Sequence, residues 1–384
     1  DYTRTSNFWF KENGKLIKNS FRSLMTGEEL ESLPFIKYAE NETIFREGQG
    51  FVPITKKDYL DTNGLGYNTV WSIGCPFHCT YCGNTKFIAN DKSYKRIRHA
   101  GPQYIIDEVN EVRRKHPHVS TINFHDDSFL ALPKRTIYEF AELWKKEVDI
   151  SFAVYGVIPN YVREDKLEAL TWAGLNRIRM GIQSGSEEIL NFYKRPTPIP
   201  RIVKAAEIIN KFKKYHIPPA YDLIVDNPIE TKQDVIDSLN LVYNFLRPYI
   251  LYIYSLRVIP NTTMEIEMKK KGVDLEQINA FYAVVKPTFA NCLLFLITFW
   301  KPPQFLWKQL LKGVKPFAEK QKLYPRLLFF VRMIYLFKKG FDHLRLMDFS
   351  VITGIAPFLI WKAGIISFWK KFAVYHHPQK RLLD

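Results

Sequence analysis

Cysteine is scarce: four residues in a chain of 384. That is too few to staple a fold of this size, so a disulfide scaffold is excluded. No internal repeat and no low-complexity tract occurs, and no secretory pattern opens the chain. Its first residue is Asp rather than Met, and a truncated or processed chain is expected. Acidic residues are in deficit, 39 against 55 Lys and Arg, for a net charge of +16. What is plentiful is apolar and aromatic content, 46% and 15%, which excludes disorder throughout. The length suits one large domain or two ordinary ones.

The charge is unevenly placed. From Lys301 to Asp384 there are sixteen Lys and Arg against four Asp and Glu, a net of +12. Such a tail calls for an anionic partner, and a membrane surface is expected over nucleic acid because no nucleic-acid-reading motif appears. Two apolar stretches reinforce this expectation. FANCLLFLITFW lies between Lys286 and Lys301, and Phe349 to Trp369 carries only Lys362 as a charge. The second is long enough to span a bilayer, but Gly354, Pro357, Lys362 and Gly364 argue against a clean spanning helix. RLLFFVRMIYLFKKGF interleaves aromatic and basic residues as interfacial helices do. A soluble helical domain with a basic face is the alternative. Cys292, inside the first apolar run, reads as a small buried hydrophobe.

From about residue 66 to 260 strand-like and helix-like patterns alternate, within a core domain expected over 66–275. Strands are expected at Thr69–Ile73, Thr121–His125, Ile150–Tyr155, Arg177–Gln183, Ala220–Val225 and Ile250–Val258. Helical stripes fall between them: Ile105, Val109, Val112; Ile137, Phe140, Ala141, Trp144; Leu167 and Leu170 up to Gly174; Ile202, Ala205, Ile209, Phe212; and Val235, Leu239, Val242, Leu246 behind a Thr231–Asp234 cap. Alternation of this kind predicts an α/β domain with a parallel sheet curled into a full or partial (β/α)6 barrel. Residues 1–65 read as an irregular approach segment with a short hairpin at NGKLIKN, and 285–384 as a helical extension.

Three of the four cysteines fall within GCPFHCTYCGN, as Cys75, Cys79 and Cys82 in C-x3-C-x2-C spacing. A structural zinc site supplies four ligands, and an iron–sulfur cubane ordinarily takes four thiolates. His78 would complete a zinc tetrahedron only with strain inside so tight a loop. Three ligands leave a coordination position open, which is the mark of a catalytic metal.

With Tyr81 directly before the last cysteine, this loop resembles the radical S-adenosylmethionine (SAM) superfamily. The resemblance implies a [4Fe–4S] cluster on the three thiolates, with SAM chelating the open iron through its amino and carboxylate groups. It implies cleavage of SAM to methionine and a 5′-deoxyadenosyl radical, with flavodoxin or ferredoxin as electron donor. Tyr81 and Gly83-Asn84 would line the adenine pocket. His125-Asp126-Asp127-Ser128-Phe129 resembles the segment that receives the SAM ammonium, so Asp126 or Asp127 is the acceptor; a turn cap is the plainer role for Asp126. Gly181-Ile182-Gln183-Ser184-Gly185-Ser186 resembles the ribose-side element, with Gln183 and Ser184 as contacts and Gln where many relatives have Glu. Asp222 through Thr231 resembles the fifth-strand element, with Asp226-Asn227 in place of the usual glycine. Asp222 is either a SAM contact or a structural strand residue. The general base and other catalytic side chains are not identified by any motif.

The approach segment, with Asn7-Phe8-Trp9-Phe10-Lys11 and Leu33-Pro34-Phe35, together with RIRMGIQSGSEEIL, is similar to the cobalamin (B12)-binding subclass of that superfamily. Its cobalamin domain, with a D-x-H-x-x-G run, is missing from this sequence. Cobalamin-dependent methylation or rearrangement of a hydrophobic, lipid-like substrate is the expected reaction, in the cytoplasm at the inner face of the membrane. A methylthiotransferase-like modifier of RNA or protein is an alternative, although it calls for more cysteines. A zinc-binding interaction module is the non-enzymatic alternative.

Overall fold

In the computed structural model the described residues are 2–35, 42–279, 285–349 and 352–372. Six strands form one sheet: β1 (Gly66–Thr69), β2 (Thr121–Phe124), β3 (Ser151–Val157), β4 (Leu175–Gln183), β5 (Ala220–Val225) and β6 (Ile250–Ser255). They are ordered sequentially from β1 to β6, and every neighbouring pair is parallel. β1 and β6 are the two edges and do not pair among the described residues, so the barrel is partial.

The connecting helices are α1 (Pro102–Lys115), α2 (Lys134–Glu147), α3 (Glu164–Ala173), α4 (Ile199–Lys211) and α5 (Lys232–Asn244). Their apolar stripes are buried against the sheet; Ile105, Val109, Ile137, Phe140, Trp144, Leu167, Leu170, Ile202 and Leu239 are among the least exposed residues of the core. Each such side chain contributes about 1.5–3 kcal/mol by leaving water. Pro102 opens α1 where its missing N–H is harmless, and Thr231 and Asp234 form a reciprocal cap on α5. Leu246 departs from the expected stripe. Helix α5 stops at Asn244, which leaves Leu246 outside it and exposed.

The first strand also departs from expectation. It ends at Thr69, and Ser72–Ile73 forms a separate two-residue strand antiparallel to Arg98–His99. The amides of Trp71 and Ser72 turn aside to the Asp126 carboxylate, which breaks the ladder between the two pieces. In the approach segment the expected hairpin is present, pairing Trp9–Glu12 with Lys15–Lys18.

The C-terminal extension is part of the barrel's own core. Helix α6 (Phe289–Phe299) buries Cys292, Leu293, Leu294, Phe295 and Ile297 in the same cluster as the sheet and α5. Cys292 is free and buried, as its apolar setting predicts. A second tail helix, α7 (Gln304–Lys312), stacks Trp307 on Tyr243 of α5. Helix α8 (Pro325–Arg345) then runs along β6, where the Tyr335 hydroxyl donates to the Leu251 carbonyl at 2.7 Å. Arg345 reaches the His216 carbonyl ahead of β5, and Gly354 N–H reaches Leu60 ahead of β1. The tail thus descends from the carboxyl ends of the strands and crosses beneath their amino ends. Arg177 on β4 and Asp348 form a buried ion pair there, at 3.9 Å.

The run from Phe349 to Trp369 does not make one helix. It gives Ile355–Lys362 and Ile365–Phe372, broken at Ala363-Gly364, and residues 350–351 lie outside the description. Among the described residues no helix is long and apolar enough to cross a membrane.

Candidate active site

All six strands point the same way, so the loops after them share one rim. The cysteine loop leaves β1 toward this rim and is tied at several points. Asp126, which follows β2, accepts hydrogen bonds from Trp71 N–H (3.2 Å), Ser72 N–H (2.6 Å) and the Ser72 hydroxyl (2.8 Å). Gly74 has φ +116, and a Cβ there would meet the Arg96 carbonyl at 2.5 Å, so the loop entrance admits only glycine. Farther on, Thr80 N–H donates to the Tyr193 carbonyl, and Met264 N–H donates to the Thr80 carbonyl. The loop is therefore clamped between the segments that follow β4 and β6.

Cys79 is buried; Cys75 and Cys82 are partly so. All three are free, and they pack with Phe77, Ile158 and Tyr161. Burial pushes the Cys75 thiol up to about 12, and negative charge on Asp127, Cys79 and Cys82 adds to the rise. Cys82 is raised chiefly by burial as well. Three neighbouring thiols of this kind ionise together only when a strong positive charge joins them. Among the described residues no three His, Cys, Asp or Glu side chains converge tightly enough for a single metal ion. A cubane places its three thiolates on three different irons, which asks for wider spacing than one ion does.

The two aspartates after β2 take different roles. Asp126 is buried and committed to the Trp71 and Ser72 donors, the strut-like alternative to a SAM contact, which leaves Asp127 as the carboxylate free to face the thiols. Asp127 is exposed, near Cys75 and Cys82, with the Tyr94 hydroxyl at 3.4 Å. Gly156 on β3 has φ +64, and a Cβ there would meet the Asp126 carbonyl at 2.0 Å; this glycine lets the aspartate loop settle over the strand. Asp126→Ala would leave two buried amides without acceptors. The expected cost is about 2–4 kcal/mol, read as a lowered melting temperature of the apoprotein.

On β4 the backbone slips register against β5 between Gly181 and Gln183. Gln183 takes φ +75, a conformation that a non-glycine residue seldom adopts. The bulge turns Gln183 into a cleft of about 470 Å³ that Tyr81, Asp222, Ile224, Tyr254, Leu256, Ile259 and Pro260 help to line. Ser184, expected beside it, is buried instead. Its hydroxyl lies 3.2 Å from that of Ser238 on α5 and accepts from Ser186 N–H. It braces the bulge and does not reach the cleft. Gly83 is also outside this cleft wall; it precedes the short helix Asn84–Asn90.

Asp222 lies inside the barrel mouth. Both its oxygens accept from Arg179 Nε, at 2.8 and 3.0 Å, and Arg179 also donates to the Tyr254 hydroxyl. Burial still pushes the Asp222 carboxyl up, with Arg179 working against the rise. On the same strand's exit Asp226 takes φ +57. Aspartate tolerates that region better than most side chains, which explains how it stands where a glycine is usual. Its carboxylate accepts from Ser255 and from Asn291 of α6, binding the tail to the rim.

One residue escaped the sequence reading. Arg195, buried after β4, donates to the Gly181 carbonyl at 2.6 Å and to the Tyr81 hydroxyl at 3.2 Å. Its Nη1 lies 3.8 Å from Cys79 Sγ. Burial works against its charge, but Tyr81 and Cys79 more than offset that, so it remains a guanidinium. Among the described residues its Nε has no partner. A buried cation with one donor still free fits an anionic cluster and a carboxylate-bearing ligand. No periodicity marks Arg195, because it sits in the irregular stretch Tyr193-Lys194-Arg195-Pro196-Thr197, where nothing in the sequence separates it from its charged neighbour Lys194.

Residues 69–242, which run from the end of β1 into α5 and contain the cysteine loop, the two aspartates, Gln183, Arg195 and Asp222, match the Radical SAM superfamily. This stretch of the chain belongs to that superfamily. The chain is 26% identical over 233 residues to an uncharacterized methyltransferase of Pyrococcus horikoshii, covering 57% of this chain and 48% of that one. It is 23% identical over 300 residues to the bacteriochlorophyllide d C-8(2)-methyltransferase of Chlorobaculum tepidum, covering 74% and 64%. The chain spans about two fifths to two thirds of the length of the curated relatives it matches. Among solved structures, the cobalamin-dependent radical SAM enzyme OxsB with aqua-cobalamin and SAM bound shares the fold. Its TM-score is 0.55 at 15% identity, covering 98% of this chain and 57% of that one. Membership in an enzyme superfamily sets the zinc-module alternative aside.

Proposed function

We propose that this chain is the catalytic part of a cobalamin-dependent radical SAM methyltransferase acting on a hydrophobic substrate. The observation that carries the reading is the meeting, at one rim, of three free thiols, the buried Arg195 cation and the Gln183 cleft. When bound, a [4Fe–4S] cluster with SAM supplies a 5′-deoxyadenosyl radical, and cobalamin supplies a methyl carrier.

The chain's own residues hold and orient. Cys75, Cys79 and Cys82 bind the cluster as thiolates. Arg195, 3.8 Å from Cys79 Sγ, would balance the negative charge of the cluster, and Asp127 would face the SAM ammonium. Tyr81 stands against the adenine side and Gln183 against the ribose. Ile224, Leu256, Ile259 and Pro260 give the cleft an apolar wall, which excludes water from a reactive radical and suits an apolar substrate. Methyl transfer is supported by the names of two curated relatives and cobalamin by that of a structural neighbour. We assign no residue of this chain to cobalamin. The methylthiotransferase alternative has in its favour the name of one curated relative, a putative methylthiotransferase of Methanocaldococcus jannaschii 27% identical over 190 residues; against it, the remaining cysteine, Cys292, is buried in α6 and adds no thiol for a second cluster.

Anaerobic reconstitution with iron and sulfide tests the reading. The expected product is brown, with about four irons per chain, and the EPR spectrum of the reduced cluster changes when SAM is added. A spectrum indifferent to SAM would sink the assignment.

A further inference from the structure

The outward face of α8 has no protein cover among the described residues. Its inward residues Leu328, Val331, Tyr335 and His343 are buried against the barrel. The opposite face carries Phe329, Phe330, Met333, Phe337, Phe341 and Leu344, exposed by 40% at Met333 and by 78% at Phe337. Successive members follow helical spacing, so they form one stripe along a 21-residue helix. A helix of a water-facing surface carries polar residues there, and a contiguous apolar stripe of this length marks an interaction surface.

Charge selects the partner. Lys320, Lys322, Arg326 and Arg332 are exposed at the amino-terminal end of the stripe or beside it. The only acid in α8, Asp342, is already paired with Lys338 at 2.9 Å. The region from Lys301 onward carries a net charge of +12. Phenylalanines flanked by cations match a bilayer interface: rings enter the acyl boundary while Lys and Arg meet anionic headgroups. A nucleic-acid backbone would use the cations but leave an unbroken line of phenylalanines idle.

We propose that the outward face of α8 seats this protein on an anionic lipid surface, without any segment crossing it. The surface is separate from the cysteine rim and holds whatever the chemistry proves to be. Because α8 starts beside the rim and runs toward the strands' amino ends, the seated protein has its cleft entrance at the edge of the lipid contact.

Vesicle flotation of the full 384-residue chain tests this, with phosphatidylcholine alone and with phosphatidylcholine containing phosphatidylserine. At low salt the chain is expected to float with the anionic vesicles and to bind neutral ones at least tenfold more weakly. The triple variant F330S/F337S/F341S should lose at least tenfold in anionic-vesicle binding, whereas F330L/F337L/F341L, which keeps the apolar area, retains it. Should the serine variant fail to fold, F337W replaces it: its fluorescence is expected to be quenched by brominated lipid beyond the wild-type background. Three results would each overturn the proposal. They are a chain that stays with the soluble fraction at low salt, a serine variant that binds vesicles like the wild type, and a dimer in ultracentrifugation that the serine variant dissociates.

Discussion

Cys79→Ala is expected to reduce cluster assembly and SAM cleavage to background while the barrel stays folded. Cys79 is the most buried of the three loop cysteines and the one that Arg195 approaches. Removing it leaves two thiols, too few to hold a cubane whose fourth iron must also stay open. The fold does not depend on it in the same way. The loop is held by Asp126 at its entrance and by Thr80 against Tyr193 and Met264 farther on, none of which needs the sulfur. Deleting one buried sulfur costs about 1 kcal/mol of stability. Cys292→Ala is the matched control: it removes a buried thiol of the core helix α6 and should keep the iron. Iron content and reduced-cluster EPR decide the first half of the expectation, and thermal melting of both apoproteins decides the second. A Cys79→Ala protein that still assembles a SAM-responsive cluster would remove the three-thiol site.

Acid should loosen the far end of the barrel. His216 is buried after α4, stacked on Phe212, with its Nε2 at 2.9 Å from the Thr171 hydroxyl, and burial pushes it down to about 3. His118, against Phe358 and Trp361 of the tail, and His343 on α8 are both pushed down to about 4, again chiefly by burial. For a base with a lowered folded pKa, the unfolded chain binds more protons between the two values. The contribution of these three histidines is therefore intact above about pH 6.5 and is lost as the pH drops toward 4; buried Glu230, pushed up to about 8, and Asp126, pushed up to about 6, work in the opposite direction. Every tenfold difference in proton affinity between the folded and unfolded chain corresponds to about 1.4 kcal/mol, so each of these histidines opposes folding increasingly below its unfolded value. Urea unfolding at pH 7.0 and 4.5 measures it. The His216→Gln variant should lose less stability between those two conditions than the wild type; an equal loss would place the acid sensitivity elsewhere.

The parts legible in advance were those in which neighbours along the chain carry the signal. Ile105, Val109 and Val112 repeat at helical spacing, and Ala220–Val225 is a strand with the limits expected of it. The cysteine triad is legible for the same reason, since all three ligands come from one loop. The parts that were not legible have the opposite character. Asp126 and Asp127 are adjacent in sequence, yet one is a buried strut and the other faces the thiols. The alternation that separates them is visible only once β2 and β3 are paired. Ser184 and Gln183 diverge likewise, because a one-residue register slip on β4 sends one side chain into the cleft and the other toward Ser238. Phe289–Phe299 has a composition suited either to a bilayer or to a core, and only its packing against the sheet and α5 distinguishes them.

The chain alone determined the six parallel strands, the helices between them and a loop of three thiols with a coordination position to spare. These follow from periodicity and ligand spacing, which are local properties. Tertiary structure decided that Arg195 stands beside Cys79 and that the basic tail forms the floor of the barrel. It also decided which face of α8 is left bare. Those outcomes depend on which surfaces meet across more than a hundred residues, and burial energy, unlike periodicity, has no address in the linear sequence.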